Sequence, residues 1–132
     1  MTIANQDVDI YRGDSALLEV QLTDANGDPF ALTSGGTIKY RVANTSHATE
    51  DETLIRKELG NGIDLQDGVA LIYLMSEDTD MKPQSYYHEV KIYDQGDVAT
   101  AMVGNVQIRQ SLRMPQTRQA VSKITIKGNV KV

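Results

Sequence analysis

Cysteine and tryptophan are absent from this 132-residue chain, phenylalanine occurs once and proline three times. Without cysteine, disulfides, thiol nucleophiles and cysteine-ligated zinc are excluded. The absence does not fix a compartment, since a reduced cytosol and an extracellular particle are both compatible with it. With one Phe and six Tyr, most of the core must come from Val, Ile and Leu, and the β-branched members of that set favour the pleated surface of a sheet. No apolar stretch approaches the ~20 residues that span a bilayer. The start, Met1 to Asp7, has neither a basic nor an apolar region. The expectation is therefore synthesis in a cytoplasm without a signal peptide.

Basic charge is also in deficit. The formal net charge is −5 with a pI near 4.9, which argues against a dedicated nucleic-acid binder and against an anionic membrane surface, both of which need a basic footprint. The cations that exist gather late: Arg109, Arg113, Arg118, Lys123, Lys127 and Lys131 follow Asp97, the last acidic residue. This asymmetry describes either a solvated strand and tail or an electropositive docking arm.

What the chain does have is a period of two. Ala16, Leu18, Val20 and Leu22 alternate with Leu17, Glu19, Gln21 and Thr23, as a strand with one face on a core requires. Asp24 to Pro29 then reads as a turn. Ile38, Tyr40 and Val42 alternate with Lys39 and Arg41; the polar stretch 44–52 reads as an exposed loop. Further strands are expected over Thr53–Glu58, around Ile63 and Leu65, and over Val69–Met75. The last of these is apolar on both faces, as in a strand inside a sandwich or one covered by a partner. Ser76 to Pro83 reads as a helical turn with Ser76 as N-cap. Tyr86, His88, Val90 and Ile92 alternate along one strand, and Val98 to Ile108 returns from a turn at 94–97. Within that return Gly104 marks a bulge or a close backbone approach. Gln110–Gln119 reads as a linker, Ala120–Lys127 as a last strand, and Gly128-Asn129 as a bend. Seven or eight short strands between Gly, Asn and Asp turns give an all-β, antiparallel β-sandwich.

Three stretches then resemble a known family in their order along the chain: Val8-Asp9-Ile10-Tyr11-Arg12-Gly13-Asp14 with the turn 24–29; Ser76-Glu77-Asp78-Thr79 with Tyr86 to Asp94; and Gly104-Asn105-Val106-Gln107-Ile108. Together they are similar to the immunoglobulin-like domains of tailed-bacteriophage virion structural proteins, including the N-terminal domains of upper-baseplate proteins, over residues 7 to 109. The resemblance implies an immunoglobulin-like sandwich at residues 1–109, a linker and C-terminal strand or arm at 110–132, no cofactor, and a place in a virus particle: baseplate, tail or capsid decoration.

No catalytic, cofactor or metal residue is assigned. Asp24, Asn26 and Asp28 copy the first ligands of a calcium loop, but Pro29 stands where the invariant Gly belongs and Gly35 where the bidentate Glu belongs; a hairpin turn accounts for them. The groups Glu50, Asp51, Glu52 and Glu77, Asp78, Asp80 read as solvated loop charge. His47 is expected in solvent and His88 in the core, hydrogen-bonded through its ring. Nothing resembles a Gly-x-Ser-x-Gly elbow or a phosphate loop. Arg12-Gly13-Asp14 spells an integrin-recognition tripeptide and reads as a turn. Tyr11, Tyr40, Tyr73, Tyr86, Tyr87 and Tyr93 describe either a sugar-stacking platform or core and rim residues. The expected function is that of a non-enzymatic virion protein, assembling with itself and docking other particle proteins through Val69–Met75 and the C-terminal strand; a carbohydrate- or host-surface-binding module is the alternative.

Overall fold

The computed structural model describes residues 4–111 and 121–127, with Ala4 and 121–127 described by backbone alone. Ten strands follow one another: β1 (Ala4–Asn5), β2 (Val8–Tyr11), β3 (Ser15–Gln21), β4 (Thr37–Ala43), β5 (Ile55–Leu59), β6 (Gly62–Gln66), β7 (Val69–Leu74), β8 (Ser85–Asp94), β9 (Asp97–Arg109) and β10 (Val121–Lys127). They form one mixed sheet in the order β1–β9–β8–β4–β5–β6–β7–β3–β10, with β2 also beside β9. The sheet curls until it is nearly closed into a barrel. A thin seam lies in the middle, where β5 meets β6 through two residue pairs, Glu58 with Gly62 and Leu59 with Ile63.

The alternation seen in the sequence becomes the inside and outside of this curl. Ala16, Leu18, Val20 and Leu22 are buried from the β3 side; Ile38, Tyr40 and Val42 from β4; Ala70, Ile72 and Leu74 from β7; Tyr86, His88, Val90 and Ile92 from β8. Each fully covered Leu or Ile contributes about 1.5–3 kcal/mol relative to an exposed one. The 24–29 turn forms as expected, with the Asp24 carboxylate accepting from the Asn26 and Asp28 amides at 2.9 and 3.0 Å.

Several expectations are corrected. The sheet is mixed rather than antiparallel: β1 and β2 run parallel to β9, β10 runs parallel to β3, and the β5–β6 contact is parallel. Residue alternation reports burial but carries no strand direction, and terminal strands are free of the hairpin that forces antiparallel pairing. Among the described residues the strand count is ten, because the two-residue β1, and β2 with Val8 and Ile10 buried, give too short a pattern to register.

Ser76 caps nothing. One turn forms, closed by the Asp78 amide on the Met75 carbonyl at 3.0 Å, and the Asp78 carboxylate reaches back to the Met75 amide at 2.8 Å. Thr79 then points inward, its hydroxyl donating to the Asp14 carbonyl at 2.7 Å, which stops further winding. The 44–52 loop contains a short 3-10 turn, Glu50–Glu52. Gly104 is a close approach and not the bulge: the extra residue of β9 is Ala101, between Met102 opposite Val90 and Thr100 opposite Lys91. Most of the expected linker and the bend at 128–129 lie outside the described residues.

Candidate functional site

Two features stand out for function: a polar pair inside the core and an apolar strip on the outside. The inner pair begins with Tyr40 on β4 and His88 on β8, both with no exposed surface. Their rings meet edge to face, 5.7 Å apart at 84°. His88 Nε2 lies 2.8 Å from the Gln6 carbonyl oxygen, and its Nδ1 lies 3.0 Å from the Tyr40 hydroxyl. A carbonyl can only accept, so Nε2 carries the proton and Nδ1 accepts from Tyr40. Burial depresses the His88 pKa, opposed by the Gln6 bond and the Asp7 charge. The same burial raises the Tyr40 pKa. Both rings are therefore neutral at pH 7, and among the described residues no nucleophile or carboxylate is hydrogen-bonded to the His88 ring.

The outer strip runs along β7. Val69 and Leu71 are half-buried, Tyr73 is 38% exposed and Met75 51% exposed. The register sets Leu17 of β3 opposite Tyr73, which widens the strip on that side, while Asp64 of β6 opposite Leu71 gives it a charged border. The expectation of a strand apolar on both faces is thus met in part: one face lies in the core and the other is half open.

The strip ends at a group of tied loops. Lys57 pairs with Asp78 at 2.8 Å, Arg12 with Asp80 at 2.8 Å, and the Gln84 amide donates to Asn44 at 2.9 Å. Leu54, 49% exposed, lines an open pocket there with Met81, Asn44 and Tyr86. Sequence reasoning missed this end of the molecule. The one signal was a Leu and a Met inside polar stretches.

The other candidates disperse. Arg12-Gly13-Asp14 is no free loop tip: Gly13 takes a φ of 84°, its amide bonds Thr79, and Arg12 is held by Asp80. Glu50 pairs with Arg41 at 2.8 Å, and Glu52 accepts from the Thr49 amide and hydroxyl, which lowers its pKa. Among the described residues, no three His, Asp or Glu side chains gather as a metal site would require. His47 is exposed, as expected. The tyrosines do not make one platform. Tyr40 and Tyr86 are buried, Tyr93 is half-buried against Lys39, Tyr87 is half-buried with its pKa pushed up to about 12 by burial and Glu89, and only Tyr11 and Tyr73 stand open.

The fold and these surfaces define an all-β protein with a filled core and a half-open apolar strip. No family model matches the chain, and no curated protein matches it.

Asp78 holds both the Met75 turn and the Lys57 pair, so Asp78→Ala should lower stability by about 1–2 kcal/mol in urea unfolding. Asp78→Asn, which keeps an acceptor for the Met75 amide, should cost less than half as much.

Proposed function

We propose that this chain is a non-catalytic structural protein of a tailed-bacteriophage virion, an immunoglobulin-like sandwich that assembles with itself and docks other particle proteins. The observation that carries the reading is the strand order. Cut at the β5–β6 seam, the sheet has β9–β8–β4–β5 on one side and β6–β7–β3 on the other. That order is the one expected for strands G–F–C–C′ and D–E–B of an immunoglobulin variable-type domain, which supports the reading.

A second detail supports it. Tyr86 opens β8, the strand in the F place, and its hydroxyl donates to the Lys82 carbonyl four residues upstream at 2.6 Å, as in a tyrosine corner. Two residues on, where antibody domains place a cysteine, stands His88, and Tyr40 on the C-place strand packs on it. In this reading Tyr40 stands for the Trp and His88 for the F-strand cysteine.

An immunoglobulin-like body with no convergent titratable cluster among its described residues is suited to holding surfaces in place. The strip along β7 is the surface offered for assembly, and rotational symmetry is the expected outcome. The carbohydrate-binding reading is weakened by the burial of Tyr40 and Tyr86. Sedimentation equilibrium tests the proposal: a discrete oligomer is expected, and Leu71→Glu with Tyr73→Glu should dissociate it without unfolding the monomer. A strict monomer that also binds none of the purified virion proteins encoded beside it would overturn the reading.

A further inference from the structure

One imidazole takes part in docking the N-terminal strand. Gln6 lies over Gly104 of β9, with its amide donating to the Val103 carbonyl at 2.8 Å and its carbonyl accepting from His88 Nε2. The next residue, Asp7, accepts from the Asn105 amide at 2.8 Å. β1 itself adds only two residue pairs, Ala4 with Met102 and Asn5 with Val103. We propose that His88 is a pH-sensitive latch: its protonation lifts β1 and the Gln6–Asp7 segment from β9 while the rest of the domain stays folded.

The chemistry of the ring requires a change of partners. The neutral ring has one donor and one acceptor, and both are satisfied. The imidazolium has two donors. Its new Nδ1–H would face the Tyr40 hydroxyl, which must turn to accept and leave its own proton unpartnered in an apolar core. The charge would also sit at a position with no exposed surface, where an ion is strongly disfavoured.

Few groups offset that cost. β4 brings only Tyr40 to the ring, and the 6–7 segment brings Asp7, whose carboxylate is engaged at Asn105. β9 faces the ring with Gly104. The inward residues of β3 and β7 are Ala16, Leu18, Val20, Ala70, Ile72 and Leu74, none titratable. Letting in water is the available relief. The segment against Nε2 is the backbone of Gln6, held by the shortest strand in the sheet.

The direction with pH follows from the depressed His88 pKa. The docked state binds fewer protons than the unfolded one, because burial outweighs the Gln6 bond and the Asp7 charge, which favour the protonated ring. A release that admits water to the ring removes that larger contribution. Docking is therefore complete above the ordinary histidine value of about 6.5 and weakens as pH falls below it. Release would also uncover the β9 edge at Met102 and Val103 for pairing with another strand.

The test is amide hydrogen exchange by NMR at pH 7.5 and 5.0, corrected for intrinsic rates. The Gln6 and Asn105 amides should lose at least about tenfold in protection at pH 5.0. The Leu22 amide, bonded to the Gly68 carbonyl across the molecule, should keep its protection. His88→Gln offers a donor and an acceptor without titrating and should abolish the change, whereas His47→Gln should preserve it. Constant protection at Gln6 in the parent would overturn the latch, as would a loss at Leu22 in step with Gln6. The same acid-induced loss in a folded His88→Gln protein would also overturn it. Should His88→Gln fail to fold, the NMR titration of His88 in the parent decides: release must follow the protonation of that ring.

Discussion

Gly104→Ala should undock the N-terminal segment and lower stability by about 3 kcal/mol. A Cβ at this position would lie 2.6 Å from the Gln6 carbonyl carbon and closer still to its oxygen, both backbone atoms that cannot rotate away. Gly104 is itself buried in the middle of β9, opposite His88, so the clash cannot be relieved by moving β9 outward. The segment must move instead. Three interactions go with it: the Gln6 amide on Val103, the Asp7 carboxylate on the Asn105 amide, and the Gln6 carbonyl on His88. The last leaves a buried Nε2–H without a partner, at roughly 1–3 kcal/mol. Urea unfolding gives the magnitude, and the Gln6 and His88 NMR resonances report the local change. A loss under about 0.5 kcal/mol, as for an ordinary surface substitution, would show that β1 docks by some other means.

The strands that the sequence reveals most plainly are those with three or more inward positions; β5 and β6, with Ile55 and Ile63 as their single buried residues, were read from short apolar patterns bounded by Gly turns. β3, β4 and β8 were legible because Ala16 to Leu22, Ile38 to Val42 and Tyr86 to Ile92 each repeat the period long enough to exclude a helix. β2 has two such positions and β1 is only two residues long, so neither registers, although their backbones cover the β9 edge. Strand direction is invisible to alternation, so the parallel pairings of β1, β2 and β10 have no signature in the sequence.

The candidate site divides in the same way. His88 could be placed in the core from its neighbours Val90 and Ile92, and the need for ring hydrogen bonds followed from that placement. Its partners could not, because Tyr40 lies 48 residues away and Gln6 lies 82. Likewise Gly104 announced a close approach without naming what approaches. The apolar strip was legible from Val69–Met75, but the covering of its inner face by the core is a tertiary fact. The tied loops at its end depend on Lys57–Asp78 and Arg12–Asp80, pairs that no local pattern encodes.

Tyr40→Ala should be the most damaging single substitution in the core, at about 3–5 kcal/mol. For a domain of this size that lowers Tm by more than about 10 °C. The side chain has no exposed surface, and it is the largest among those fully buried; its removal opens a cavity between β4 and β8 and takes away the donor to His88. Tyr40→Phe separates these effects. The phenyl ring keeps the edge-to-face contact and the volume, while the missing hydroxyl leaves His88 Nδ1 without its donor, at roughly 1–2 kcal/mol. Because the lost bond favoured the neutral ring, the His88 pKa should rise in Tyr40→Phe toward its ordinary value. The acid range in which β1 releases should then move to higher pH. Calorimetry measures the first effect, and NMR titration of the His88 ring measures the second. If Tyr40→Phe matched Tyr40→Ala in stability, the hydroxyl rather than the packed ring would dominate the site. An unchanged His88 titration would mean that Tyr40 does not set its protonation.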